Sequence, residues 1–268
     1  MILASASPLN ITFVLAAALA YAVPALAGER LSVTLAWRAL LAAWLLHALA
    51  LVTQTLIEPV RFGFGPALSV TAWLALTVYG IERQVFPQLK ARWALAGLGA
   101  AAVLLGGVFP GAELHVSASA WLPLHWALGI ASYGMFAASV LHAALMRRTE
   151  KQIRLAADPH SGIPLLTLER LTFHFVSAGF VLLTATLLAG WLFGETLYGA
   201  AGARWKWDHK TVFSLLSWLT FATLLVGRWH LGWRGRRAVQ VLYTGAGLLL
   251  LAYAGSRFVL EVVLGRAA

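Results

Sequence analysis

The sequence has 268 residues, of which 60% are hydrophobic and only 11% are charged. Soluble globular domains carry about 25% charged residues, so a soluble fold could not bury this much apolar surface. The sequence contains no cysteine, which excludes disulfides, thiolate nucleophiles and cysteine-ligated metal sites within it. The net charge of +10 does not indicate nucleic-acid binding, because the basic residues are spread over several short connections.

Apolar segments long enough to cross a bilayer recur along the whole chain. A helix needs about 20 residues to span the hydrocarbon layer. The sequence therefore predicts an all-α polytopic membrane protein with about eight transmembrane helices, forming a single domain over residues 1–268. The predicted spans are 9–27, 36–57, 66–82, 93–109, 121–146, 171–194, 211–229 and 238–264.

The distribution of Lys and Arg predicts the orientation in the membrane, since basic residues collect on the inner side. With both termini outside, 14 of the 20 basic residues fall in or beside inner connections. They are Arg30, Arg38, Arg83, Lys90, Arg92, Arg147, Arg148, Lys151, Arg154, Arg170, Arg228, Arg234, Arg236 and Arg237. The segments 110–120 and 195–210 are then predicted to face the same outer compartment.

The densest polar and aromatic cluster is Arg204-Trp205-Lys206-Trp207-Asp208-His209-Lys210, directly before the seventh predicted span. One interpretation is an interfacial anchor, with indoles at headgroup depth and Asp208 capping the next helix. The other is a ligand site. In that case the two tryptophans form a flat apolar surface for a planar ligand, and the basic residues attract its carboxylates.

The eight histidines are a second signal, because an ionisable side chain inside a membrane span is a functional hypothesis by default. By predicted depth, the outer group is His115, His125 and His209, the inner group is His142, His174 and His230, and His47 lies near mid-membrane. An inner ligand set or a proton relay could use His47, His142 and His174. For each histidine the alternative is an imidazole held only by ordinary hydrogen bonds.

These motifs resemble the cytochrome c assembly superfamily, which includes CcsA, CcmC and CcmF. Trp205-Lys206-Trp207-Asp208-His209-Lys210, followed by Trp218, is similar to the second half of the tryptophan-rich signature of that family. Leu124-His125-Trp126, continuing to Ser132-Tyr133, resembles the histidine-bearing helix that precedes the signature. Stretches such as Leu46-His47-Ala48-Leu49 resemble the eight-helix YpjD/HemX-like branch.

The resemblance implies that a b-type haem binds non-covalently at the outer face, either stably or in transit, with His125 as axial ligand of the iron. The other implied site residues are Trp205 and Trp207 as a stacking platform, Asp208 as organiser of the loop, and Arg204 and Lys210 as propionate partners. The resemblance provides no second axial ligand. By position, His115 or His209 could be one.

Two departures from the family pattern keep other functions open. Gly199-Ala200-Ala201-Gly202 stands where the signature normally opens with tryptophan, and no histidine follows His230. A HemX-like regulatory or accessory membrane protein without catalysis is one alternative, and a small proton-coupled transporter is another, although no inverted repeat is evident.

The expected setting is a bacterial-type inner membrane, which the chain crosses several times. The expected partners are membrane lipid, haem, other cytochrome c assembly components and apocytochrome c, and no nucleic acid is expected. A non-enzymatic haem-binding or assembly factor is favoured over an enzyme.

We expect both termini and the loop that contains Trp207 to lie outside the cytoplasm, because the basic residues would otherwise be concentrated on the outer side. Alkaline phosphatase fused to the C-terminus should be active, and green fluorescent protein at the same position should be dark. Fusions after Arg148 are the matched control and should give the reverse pattern. Bright fluorescence from the C-terminal fusion would invert the topology.

Overall fold

The computed structural model describes residues 8–27, 30–55, 61–85, 92–113, 121–154, 164–194 and 207–264, apart from the side chains of residues 55, 85, 92, 93 and 261. Eight helices account for most of these residues. They are α1 (Pro8–Ala27), α2 (Val33–Thr55), α3 (Phe64–Val85), α4 (Arg92–Val108), α5 (Leu122–Arg154), α6 (Leu165–Leu192), α7 (His209–His230) and α8 (Gly235–Leu250). The chain after α8 continues as a π-helical turn, Leu251–Gly255, a short α-helical turn, Ser256–Phe258, and a second π-helical segment, Val259–Val263.

The helix lengths confirm the prediction of an all-α polytopic membrane protein. Seven helical segments in the described part of the chain are long and apolar enough to cross a membrane. The remaining helix, α4, has 17 residues, and its apolar part is shorter still. Since 17 residues make about 25 Å of helix, α4 lies at the lower limit of a spanning length.

Helix α5 is longer than the sequence predicted, because it continues from the predicted end at residue 146 to Arg154. The added turns are rich in charged residues, which have good helix propensity but lower the hydropathy on which the prediction depended. Arg154 Nη2 lies 3.8 Å from Glu150 Oε2, an i,i+4 pair that favours the helical state. The basic end of α5 therefore extends beyond the apolar span.

The described residues group into two compact units, and the first consists of Met1–His115 with Arg257–Ala268. In this unit α1 packs against α2 and α4, and α3 packs against α4. Two short antiparallel strands, β1 (Arg61–Phe62) and β2 (Ala112–Glu113), join the ends of the connections. The Arg61 guanidinium and the Glu113 carboxylate form an ion pair across these strands.

Buried polar side chains tie the helices of the first unit together. Asn10 Nδ2 donates to the carbonyl oxygen of Ala50 at 2.9 Å and to Thr53 Oγ1 at 3.0 Å, which joins α1 to α2. Gln54 Nε2 donates to the carbonyl oxygen of Gly106 at 2.9 Å, which joins α2 to α4. Because lipid offers these groups no hydrogen bonds, each pair favours one register of the helices.

The second unit, Val116–Ser256, contains α5, α6, α7 and α8. Helix α5 packs along α6, and α7 packs along α8. Phe136 of α5 and Phe221 of α7 stack with ring centroids 3.8 Å apart and are almost completely buried. Ser217 Oγ donates to the carbonyl oxygen of Gly245 at 2.8 Å, so α7 and α8 approach closely at this glycine.

We expect Gly245→Ala to lower the free energy of unfolding by about 1–3 kcal/mol, because the added methyl group overpacks the core. A Cβ atom at Gly245 would lie 2.8 Å from Cε1 of the stacked Phe221 ring. Gly247→Ala is the matched control on the same helix, since a Cβ there meets no atom within 4 Å. Thermal unfolding in detergent measures both variants, and equal losses of stability would contradict this account of the packing.

Candidate functional site

His125 lies in the first turn of α5, at one end of the second unit. The backbone N–H of His125 donates to the carbonyl oxygen of Trp121 at 3.1 Å, and the side chain is half-buried. The imidazole lies beside Gly190, near the end of α6, where an added Cβ would be 3.5 Å from His125 Cε1. A Cβ at residue 190 would make an ordinary van der Waals contact with the ring, so α5 and α6 pack closely beside the imidazole.

Lys210 reaches the same end of the unit from the first turn of α7. Asp208 caps this helix, because its carboxylate accepts a hydrogen bond of 2.8 Å from the backbone N–H of Thr211. Asp208 therefore has the capping role that the interfacial-anchor interpretation gave it. The Lys210 ammonium lies over the Tyr253 ring, 5.6 Å from its centroid, and within electrostatic range of His125.

Tyr253 belongs to the π-helical turn Leu251–Gly255 that follows α8. Just before this turn, the Tyr133 hydroxyl of α5 donates to the carbonyl oxygen of Leu249 at 2.6 Å. Isolated π-helical turns within α-helices occur frequently at functional sites. Here the turn places an aromatic ring under the Lys210 ammonium.

Exposed aromatic side chains surround this end of the second unit. Trp207 is 73% exposed, Trp121 and Trp191 are each 64% exposed, and Phe193 is 57% exposed. The start of α5, the end of α6 and the start of α7 carry these residues, and these three positions share one end of an antiparallel bundle. The exposed rings suit either a planar apolar ligand or the interfacial region of a bilayer.

Trp218, the last tryptophan of the sequence signature, has a packing role inside the second unit. Its Nε1–H donates to Thr184 Oγ1 of α6 at 2.8 Å, and its ring stacks on Phe180 with centroids 5.4 Å apart. The hydrogen bond satisfies the indole N–H within the span. Trp218 therefore holds α7 against α6 below the site rather than lining it.

Several predicted site residues fall outside the described residues, namely Arg204, Trp205 and His115. His209 is described and is an exposed residue at the start of α7. Of the predicted outer site, the structure brings His125 and Lys210 together and places Asp208 and Trp207 directly before α7. Gly190 and Tyr253 were not predicted, because only tertiary packing and the π-helical turn bring them to this end.

His47, one of the three predicted inner ligands, is fully buried in the first unit. Its Nδ1 lies 3.3 Å from the Tyr21 hydroxyl, and its Nε2 lies 2.8 Å from Ser69 Oγ. Both ring nitrogens therefore have partners on neighbouring helices. This arrangement agrees with the alternative interpretation of an imidazole held by ordinary hydrogen bonds.

The other two predicted inner residues belong to the second unit. His142 Nδ1 donates to the carbonyl oxygen of Ala138 at 2.7 Å, and its ring stacks on Phe175 of α6. His174 is exposed on α6. Among the residues that the structure describes, no group of three or more His, Cys, Asp or Glu side chains could hold a metal ion.

The chain is similar in sequence to a known protein family and to several of its relatives. Residues 33–264 match the family described as Cytochrome C assembly protein. Inner membrane protein YpjD of Escherichia coli strain K12 is 34% identical over 152 residues, and the match covers 56% of this chain and 56% of YpjD. Cytochrome c biogenesis protein CcsA of Synechococcus elongatus is 26% identical over 244 residues, which cover 80% of this chain and 71% of CcsA.

The match to YpjD spans little more than half the length of that relative. No solved structure matches the chain. The family match, however, extends from residue 33 to residue 264 of 268 and so includes His125, Trp207, Asp208 and Lys210. The chain therefore belongs to the cytochrome c assembly protein family.

Proposed function

We propose that the protein binds haem at the end of the second unit that carries His125, and that it serves cytochrome c assembly by holding or relaying this haem. The observation that carries the proposal is that His125, Lys210 and Tyr253, contributed by three helical segments, lie at one end of the unit beside exposed aromatic rings, with Lys210 over the Tyr253 ring and within electrostatic range of His125. The proposal includes a bacterial-type inner membrane, as for the relative named inner membrane protein YpjD. It also includes an outer location for this end of the unit.

The side chains at this end fit the chemistry of haem. A single positioned imidazole is sufficient to ligate haem iron, and His125 is held at a helix end with its side chain half-buried beside Gly190. Haem propionates need cationic hydrogen-bond donors, and the Lys210 ammonium has three N–H groups. The exposed rings of Trp207 and Trp191 offer apolar contact to a porphyrin plane.

The remaining parts of the proposed site come from the loop before α7. Asp208 fixes the start of α7 and so the position of Lys210, while Arg204 is the second propionate partner and Trp205 completes the stacking platform. His209 or His115 would supply a second axial ligand. The roles of Arg204, Trp205 and Asp208 rest on the resemblance to the family, whereas those of His209 and His115 rest only on their position in the sequence.

Haem is the cargo in this proposal and remains non-covalently bound. The sequence has no cysteine, so it offers no thiol for a thioether bond to haem. Covalent attachment would take place on a client apocytochrome that contains cysteine. The proposal therefore assigns no catalytic residue to the protein. Its role is to bind, orient and release haem.

A regulatory or accessory role without haem transfer is the second candidate. It is favoured by one observation, namely that no histidine follows His230 in the sequence, where the family pattern has a second outer histidine. The two candidates differ in an absorption spectrum. A haem-binding protein purifies with a Soret band or acquires one on titration with haem, and a purely regulatory protein does neither in any redox state.

We expect His125→Ala to reduce haem retention to below about a tenth of the parent level, because it removes the axial ligand. The Soret absorbance of the purified protein, divided by its protein absorbance, measures retention. His230→Ala is the matched control, since this histidine is exposed at the other end of α7 and should leave retention unchanged.

A second variant at the same position separates ligation from folding. His125→Met should retain haem with a shifted spectrum, since a thioether can also ligate haem iron. An unchanged spectrum in His125→Ala would remove His125 from the site. Loss of haem in every variant, including His230→Ala, would show that retention depends on the fold and not on ligation.

We expect Lys210→Gln to weaken haem binding about 10-fold to 100-fold, because a hydrogen bond to a charged group contributes about 1.5–3 kcal/mol. Titration of the protein with haem measures this change. Haem dimethyl ester, which has no propionate charge, should bind the parent and Lys210→Gln equally. Lys151→Gln, an exposed lysine on the basic extension of α5, is the control. An equal loss of affinity for haem and its ester would rule out Lys210 as the propionate partner.

A further inference from the structure

We propose that the opposite end of the second unit binds the headgroup of an anionic phospholipid, in a groove between the start of α6 and the end of α7. The groove has a volume of about 470 Å³. Its charged lining consists of Glu169 and Arg170 from α6, Arg228 from α7, and Arg234 from the turn that follows. Three guanidinium groups therefore face one carboxylate.

A partly buried ion pair organises the groove. Arg228 Nη1 lies 2.6 Å from Glu169 Oε1, and the two side chains are only 21% and 12% exposed. The Arg228 guanidinium also stacks over the Phe173 ring, 4.6 Å from its centroid. Glu169 is thus largely neutralised by Arg228, and Arg228 is held in place from two sides.

The other two guanidinium groups give the groove its surplus of positive charge. Arg234 Nε lies 3.5 Å from the same carboxylate oxygen of Glu169, but the Arg234 side chain is 65% exposed. Arg170 is also exposed. Two exposed guanidinium groups beside a neutralised carboxylate can bind a phosphate group through paired N–H donors.

The apolar rim of the groove indicates a lipid. Leu166 is 72% exposed and Trp229 is 70% exposed, and both line the groove together with the arginines. An exposed tryptophan next to basic residues at a helix end is typical of the boundary between headgroups and acyl chains. Basic pockets between transmembrane helices bind anionic headgroups for the same reason, since phosphate and acyl chain are satisfied together.

This site is separate from the proposed haem site. Lys210 lies in the first turn of α7 and Arg228 in its last turn, so the two sites are about 27 Å apart along the helix. The lipid site lies at the end rich in arginine, which the charge distribution assigns to the inner leaflet. Its test therefore requires no haem.

The experiment uses the full chain in neutral detergent, titrated with phosphatidylglycerol and followed by native mass spectrometry. We expect one high-affinity adduct, and Arg170→Gln/Arg234→Gln should weaken it about 30-fold, since each basic residue near a lipid surface contributes about fivefold. Arg30→Gln/Arg38→Gln is the matched control, because it removes the same charge from exposed residues of the first unit. Its affinity should change less than about twofold.

Two further measurements decide the identity of the ligand. Phosphatidylcholine, whose headgroup has no net charge, should form no high-affinity adduct, and millimolar inorganic phosphate should not displace phosphatidylglycerol. Equal weakening by both double variants would indicate only general attraction to a basic surface and would overturn the proposal. Displacement by inorganic phosphate would indicate a site for a free anion and would also overturn it. If the double variant fails to fold, the exposed Arg170→Gln alone should give the fivefold loss, and an unchanged affinity there would count equally against the site.

Discussion

The bilayer offers no hydrogen bonds to backbone or side-chain polar groups, and the rest of this structure depends on that constraint. Within the described spans, polar side chains are therefore paired, either within one helix, as for Ser132, Ser139 and Thr172, or between helices. Gln54 donates to the carbonyl oxygen of Gly106, Ser217 to that of Gly245, and Trp218 to the Thr184 hydroxyl. Such pairs fix which helices are neighbours and in what register. Because polar groups inside the spans are used in these pairs, the groups proposed to bind ligands lie at the helix ends, next to water and lipid headgroups.

The antiparallel course of the second unit determines which residues meet at each end. His125 and Lys210 lie in the first turns of α5 and α7, and Gly190 lies near the end of α6, so one end of the unit carries an imidazole with a glycine beside it and an ammonium. At the other end of the unit, the same antiparallel course brings Glu169 of α6 and Arg228 of α7 together. The length of α7 then keeps the two groups apart, and the chemistry of one end does not require the other.

The sequence was sufficient to predict the number and approximate position of the helices, because the length of an apolar run follows directly from bilayer thickness. The capping of α7 by Asp208 was also predictable, since capping is a local interaction between a side chain and the next turn. The extension of α5 to Arg154 was missed, because hydropathy falls where the helix leaves the membrane although helix propensity remains high. The apolar run 238–264 likewise gave no sign of the π-helical turn at Leu251–Gly255, because hydropathy does not record which carbonyl oxygen an N–H group meets.

The contacts of the site could not be predicted for a related reason. The sequence favoured His125 over His47 as a ligand through the resemblance to the family, but it did not give the surroundings of either residue. His47 is fully buried, with Tyr21 and Ser69 at its two ring nitrogens, and such an imidazole is suited to holding helices together. His125 is half-buried at a helix end, beside a glycine and a lysine. Tertiary neighbours, which no local pattern records, distinguish the two.

The half-burial of His125 also bears on the proposed function of holding or relaying haem. A carrier has to hold its cargo firmly enough to collect it and loosely enough to pass it on. A ligand enclosed between helices, in surroundings like those of His47, would exchange only as fast as the helices separate. A ligand at the end of a helical bundle is reached directly from the membrane interface. Without cysteine in the sequence, affinity in the proposed site comes from an iron–imidazole bond, a propionate contact and aromatic stacking, each of which can be broken separately. A site assembled from several modest contacts at the end of a rigid bundle therefore suits transfer better than permanent retention.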